Sequence, residues 1–501
     1  MMRKAVSLLL ATWLGVACSS TVPADRWSYP WTPLPPETSI LRPEPRAMSD
    51  DEARHLLRRT GFGVATPIEM DSIRGLDYEA AVDRLLDGMR PLPATGEPAW
   101  KSDIPLTPKE RAGLSTDELN ANRDLWLARR PELKAWWVGE MLATPSPLTE
   151  RMTLFWHNHF TSGMKKVNFA SFMYQQNALF RREAAGSFAV LLREVSKGPA
   201  MLIYLDNRDN RDSHPNENFA RELLELFTLG EGHGYTEKDI REAARAFTGW
   251  RVDPDWRRFQ NFIRFHDYGS KTFLGRTGNF DGDDILTILL HQPRTAEYVA
   301  ERLWREFIDD TPARAEVERL AEIFRRSGYR IRPLLKALLM SPAFRDPATR
   351  GVLVKAPVDV VVGTYRLMGR HPDELRPLVG ALARMGQDLF DPPNVKGWPG
   401  GLHWITATTL GQRQQFLNGV LRQTLRGAGD GGGQAMMANA GMESRMDVQP
   451  VQRASWDPLK TDPASLYRAL LAVPPVAPAA PQSPPERRLR LALLDPAFEL
   501  K

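Results

Sequence analysis

A single cysteine, Cys18, stands in 501 residues, so no disulfide can close within the chain. No Lys/Arg-rich run emerges from a balance of 66 basic against 61 acidic side chains, which argues against a nucleic-acid partner. The G-x-x-x-x-G-K-[ST] phosphate loop, the G-x-S-x-G elbow and the H-E-x-x-H zinc motif are all missing. Serine-hydrolase, zincin and thiol chemistry are therefore disfavoured. The apolar run Ala5–Val16 is too short to span a bilayer as a mature helix.

That run has a different use. Met1-Met-Arg-Lys4 is a basic n-region, Ala5–Val16 an h-region, and Ala17-Cys18-Ser19-Ser20 resembles the processing site of bacterial lipoproteins. Cys18 is thus the expected lipid acceptor, and Ser19 after it resembles lipoproteins sent to the outer membrane. Ordinary secretion, with cleavage near Ala17, is the alternative. Both routes lead to the cell envelope.

Residues 19–47 hold seven prolines with Trp27, Tyr29 and Trp31 between them, the composition of an extended tether. From Ser49 the pattern is helical. Ser49 and Thr66 read as caps, the latter with Pro67 at the first helical position and Glu69 at the third. Residues 114–142 form a Trp-rich helix expected to break at Pro131, and Ser146-Pro147 starts another. Residues 250–266 alternate enough for a small hairpin, and helical spacing resumes from Asp281. The expectation is a mainly α, single multi-helix domain over 48–426 with one small β-hairpin. After it come a flexible Gly/Pro-rich insertion at 427–485, with six prolines between 474 and 485, and a C-terminal helix within 486–501 docking back on the domain. Leu489–Phe498 echoes Leu334–Phe344 with one residue fewer, as either a duplicated unit or a recurring helix ending.

The densest polar chemistry lies in Met201–Trp250. Phe219, Leu223, Leu226 and Phe227 make one helical apolar face, and Asn218, Glu222 and Glu225 run beside it. Arg221 lies within a turn of Glu217 and Glu225. Gly230 and Gly232 end this helix, and Thr236-Glu-Lys-Asp239 starts the next as a capping box. The segment PNENFARELLELFTLGEGHGYTEKDIREAARAFTGW resembles the bacterial family known as domain of unknown function 1800. So do RHLLRRTGFG (54–63), FWHNHF (155–160), HDYGSKTFLG (266–275), KAPVDVVV (355–362) and DPPNVKGWPGG (391–401). The family has no established function. Its genes often lie beside those of a secreted, sulfatase-like family, which implies a joint role.

Several groups invite chemistry, each against a plainer reading. Glu222, with Asn218 to hold its carboxylate and Arg221 as a partner, is the expected functional centre; the alternative is an inert Arg–Glu network. His157 and His159 form a His-x-His pair, which shares a face only in a strand or at a distorted helix end; otherwise both are satisfied core histidines. Asp206 and Asn207 offer oxygen ligands or a hold on a sugar hydroxyl, or simply cap a loop. His266 and Lys271 offer a base and a cation in a single turn, or an ordinary polar turn. Trp398 and Trp404 would suit stacking on a sugar ring, or fold back on the core.

Two functions stay open. One is an envelope hydrolase acting on a glycan or peptidoglycan-like polymer, with Glu222, Asp206 and His266 as catalytic groups. Asn207, Asn218, Arg221, Lys271, Trp398 and Trp404 would then bind substrate, with or without a divalent metal on His157 and His159. The other is a non-catalytic envelope protein that binds a partner protein or polysaccharide. Convergence of His157, Asp206 and Glu222 on one pocket favours the first; a filled centre favours the second.

Overall fold

The computed structural model describes residues 41–43, 45–255, 257–429 and 456–501. Cys18 and most of the 19–47 tether lie outside these residues. The described chain is mainly α, with 22 α-helices and two separate two-stranded antiparallel sheets. Among the described residues no helix is long and apolar enough to cross a membrane.

The helix starts follow local chemistry. Ser49 with Glu52, Thr66 with Glu69 and Thr236 with Asp239 each form a capping box, in which the hydroxyl accepts from the third helical N–H and the acid accepts from the cap N–H. Asn216 caps helix 217–222 by accepting from the Asn218 N–H. Residues 223–228 then continue as a π-helical turn, in which the Thr228 hydroxyl donates to the Leu223 carbonyl at 2.7 Å.

The expected break at Pro131 does not occur: helix 116–143 runs straight through it. Pro131 sits on the exposed face, as does Leu127 one turn earlier, so water can satisfy the carbonyl that the proline leaves free. Strand 250–252 pairs with 259–261 as expected. A second hairpin, 271–273 with 276–278, was hidden because Leu274-Gly275 makes a tight turn at positive φ between strands of only three residues.

The larger correction lies at the C-terminal end. Residues 456–485, expected to be flexible, include helix 463–470, and Leu466 and Leu470 are wholly buried. Proline there supplies helix starts and a folded-back loop instead of disorder: Pro463 and Pro485 each stand at the first turn of a helix. Helix 485–494 does dock, with Leu489 and Leu493 packing on Leu417, Leu421 and Leu466. The rest of the expected insertion, 430–455, lies outside the described residues.

Helix 147–159 runs through the centre and is buried on nearly every side. Ion pairs of Glu150 and Arg151 fix it. Glu150 accepts from Arg181 Nε at 2.7 Å and Nη2 at 2.8 Å, and from the Trp137 indole at 2.8 Å. Arg151 meets Asp359, whose second oxygen takes Lys501 Nζ at 2.8 Å. Although burial opposes it, those two cations hold the Asp359 carboxyl down to about 2. Removing one partner of such a buried pair typically costs about 3–5 kcal/mol.

Candidate functional site

The residues singled out from sequence do not assemble into one centre. His157 and His159 lie on a regular α-helix and point about 200° apart by the helical repeat. His157 packs against Trp137, Phe180 and Phe390, and burial pushes its pKa down to about 3. His159 lies among Phe155, Phe160 and Phe227, and its Nε2 is hydrogen-bonded to the Phe227 carbonyl at 3.0 Å. The helix ends beyond this pair, at Phe160, and not at Asn158 as sharing an ion would require. Among the described residues no three His, Cys, Asp or Glu side chains converge as a metal site.

Asp206 and Asn207 serve the loop. Asp206 is half exposed, sits in the left-handed region and pairs with Lys166 at 2.7 Å. Asn207 is fully buried; it donates to the Trp250 carbonyl at 3.0 Å and accepts from Asn210 at 3.1 Å. His266 is buried and hydrogen-bonded to the Thr248 carbonyl at 2.9 Å. Lys271 Nζ donates to the carbonyls of Asp267 and Gly269. Asp267 in turn holds Arg245 at 2.7 Å. This turn is a fastening of 266–279 onto helix 237–246, with the expected catalytic His266 and the expected substrate-binding Lys271 both spent on backbone oxygens.

Glu222 is half-buried, not a core group. Asn218, exposed, donates to the Leu205 carbonyl at 3.2 Å and does not hold the Glu222 carboxylate. Arg221 pairs with Glu237 at 2.8 Å, Glu217 at 3.2 Å and Glu225 at 3.5 Å, so the Arg–Glu network forms without Glu222. Burial, and then the neighbouring Glu225, raise the Glu222 pKa, while Arg221 and Lys396 oppose the rise.

Lys396 connects this acidic corner to a groove of about 580 Å³. The groove is floored by helix 147–159 at Leu154 and Asn158 and walled by helix 293–307 at Arg302. The loop that carries Lys396, Gly397 and Trp398 closes it. Asn158 clasps that loop: its Oδ1 accepts from the Trp398 N–H at 2.6 Å, and its Nδ2 donates to the Trp398 carbonyl at 3.3 Å. Gly397 lies at φ +87°, and any Cβ there would collide with the Asn158 side chain. On the outer side Lys396 reaches Glu231 at 2.9 Å.

Trp398 and Trp404 are 4% and 6% exposed, so neither ring presents an open face for stacking on a sugar. They fold back on the core, as the plainer reading had it, and line the groove edge. The buried indole N–H of Trp398 has no acceptor. Arg302 donates only to neutral oxygens, the Tyr298 hydroxyl at 3.3 Å and the Asn158 carbonyl at 3.1 Å. Sequence reasoning missed Arg302, which is one of many arginines on an amphipathic helix and carries no local signal.

No curated protein and no solved structure matches this chain. The model of the family described as protein of unknown function (DUF1800) matches residues 55–500, most of the sequence, and the chain belongs to that family.

Proposed function

We propose that this protein is an envelope lipoprotein that acts by binding. It holds a hydroxyl-rich polymer with acidic groups, such as an envelope glycan, in the groove between helices 147–159 and 293–307 and the 394–404 loop. Arg302 carries this reading: a groove-lining guanidinium that meets only neutral oxygens gains most from a ligand carboxylate or phosphate. His157, Asp206 and His266 do not meet Glu222 in one pocket, which weighs against general acid–base chemistry by that set.

Calorimetry with acidic and neutral envelope oligosaccharides tests it. Acidic chains should bind the full-length protein, and Arg302→Gln should weaken binding about tenfold, as losing a charged hydrogen bond does. Absence of binding, or equal binding by Arg302→Gln, defeats the groove reading. For the anchor, Cys18→Ala should leave the membrane fraction; unchanged retention would reject lipid attachment.

A hydrolase remains the second reading on one observation. The raised, half-buried Glu222 carboxyl beside Glu225 suits a general acid. Release of reducing ends that disappears in Glu222→Gln, with the fold retained, would replace binding by catalysis.

A further inference from the structure

Arg54, His55 and Arg58 of the segment 54–63 line a second concavity, which meets the groove only at Lys501. It measures about 400 Å³ and lies between helix 50–60, the turn at 347–350 and the 467–475 segment. Four guanidinium groups line it: Arg54, Arg58, Arg350 and Arg468. The carboxylates near them are few and peripheral. Asp51 stands 3.8 Å from Arg350, Asp50 stands 4.0 Å from Arg54, and both acids are more than 60% exposed.

Arg58 is the deepest of the four. It is 6% exposed, and its Nη2 donates to the carbonyls of Arg468 and Ala469. Its Nε has no acceptor, and the Nε atoms of Arg54 and Arg350 are likewise buried and unpartnered. Arg468 donates only to the Ser465 hydroxyl, at 3.1 Å. Buried guanidinium groups ordinarily pair with an anion, because an unpaired buried charge is strongly destabilising. Burial first, then Arg54 and Arg350, depress the Arg58 pKa to about 9, so these cations repel one another across the cavity. His55 adds no counter-charge: its Nε2 is hydrogen-bonded to the Phe344 carbonyl at 2.8 Å, and burial keeps it neutral.

We propose that this cavity is a binding site for a phosphomonoester, a multiply charged oxyanion held by Arg54, Arg58, Arg350 and Arg468. The planar fork of arginine suits bidentate contact with phosphate oxygens, and such an anion supplies both the acceptors and the charge that the cavity lacks. The volume leaves room for the group that carries the phosphate. The anion is either free or the headgroup of a lipid.

The test uses the full-length protein with two probes: inorganic phosphate in calorimetry, and vesicles of phosphatidylcholine with and without phosphatidic acid in flotation. Because Arg58 also holds backbone carbonyls, the variants are Arg54→Gln and Arg350→Gln, which keep those bonds. Saturable phosphate binding, weakened tenfold or more by each variant, supports the site and a soluble source. Flotation only with phosphatidic acid, lost in the same variants, supports the site and a lipid source. Asp51→Asn should tighten binding several-fold by removing a like charge from the rim. A control, Arg314→Gln on the exposed surface of helix 314–326, should change nothing. Binding of neither probe, or equal weakening by the control, overturns the proposal.

Discussion

Lys355 shows how a buried charge shapes pH dependence. Its amine is fully buried, has no hydrogen-bond acceptor, and sits 3.8 Å from the centre of the Phe498 ring. Burial first, then Arg58 nearby, lower its pKa to about 7. A depressed lysine contributes stability above its unfolded value, and that stability is lost as pH falls toward the folded value. Lys355→Met should therefore stabilise the protein at pH 7 by on the order of 2 kcal/mol, a gain that shrinks as pH rises toward 10. Denaturant melts at both pH values check this; destabilisation at pH 7 would mean the amine is needed charged. Glu222 runs in the opposite sense. Its raised pKa favours folding while the carboxyl is protonated, and that contribution is lost as pH rises through the folded value. After solvent screening, Glu222→Gln should add only about 0.5 kcal/mol at neutral pH and nothing in acid below the unfolded carboxyl range. A clear loss of stability in that variant would restore Glu222 to the Arg221 network.

Among the elements, the loop that closes the groove is the most sensitive to a small change. Gly397→Ala adds one methyl group against Asn158 at positive φ, and should break both Asn158 bonds to Trp398. We expect about 1–3 kcal/mol of destabilisation together with loss of groove binding. Normal thermal stability with a normal ligand affinity would show that the clasp is dispensable. Elements with strong local signals were legible in advance: the Ser49, Thr66 and Thr236 caps declare themselves within four residues. Helix 463–470 was not, because its neighbouring prolines suggest disorder while the stripe of Leu466 and Leu470 is only two turns long. The candidate site was legible in part. The segment 391–401 held Lys396, Gly397 and Trp398, but the function imagined for the tryptophan needed an exposed ring. Polar density around Asn207 and Lys271 proved to be backbone satisfaction, which sequence cannot separate from ligand binding because both use the same side chains.

For the whole molecule, the C-terminal segment completes the core. Leu500 bridges to Val354, and Glu499 meets Arg413, whose side chain is wholly buried. A chain ended at residue 455 would strip Lys501 from Asp359 and expose Leu417, Leu421 and Val360. We expect it to aggregate or to melt without cooperativity; a sharp transition near the full-length value would show instead that 456–501 is an appendage. Helix 50–60 reaches in the same way across long stretches of sequence. His55 binds the Phe344 carbonyl, Arg58 those of Arg468 and Ala469, and Arg59 those of Phe307, Ile308 and Thr349. Peptide groups far apart in sequence thus share one fastening. Deuterium uptake in 53–60, 303–308 and 466–470 should follow a single opening event with one common free energy, where three unconnected packings would each fray at a rate of its own.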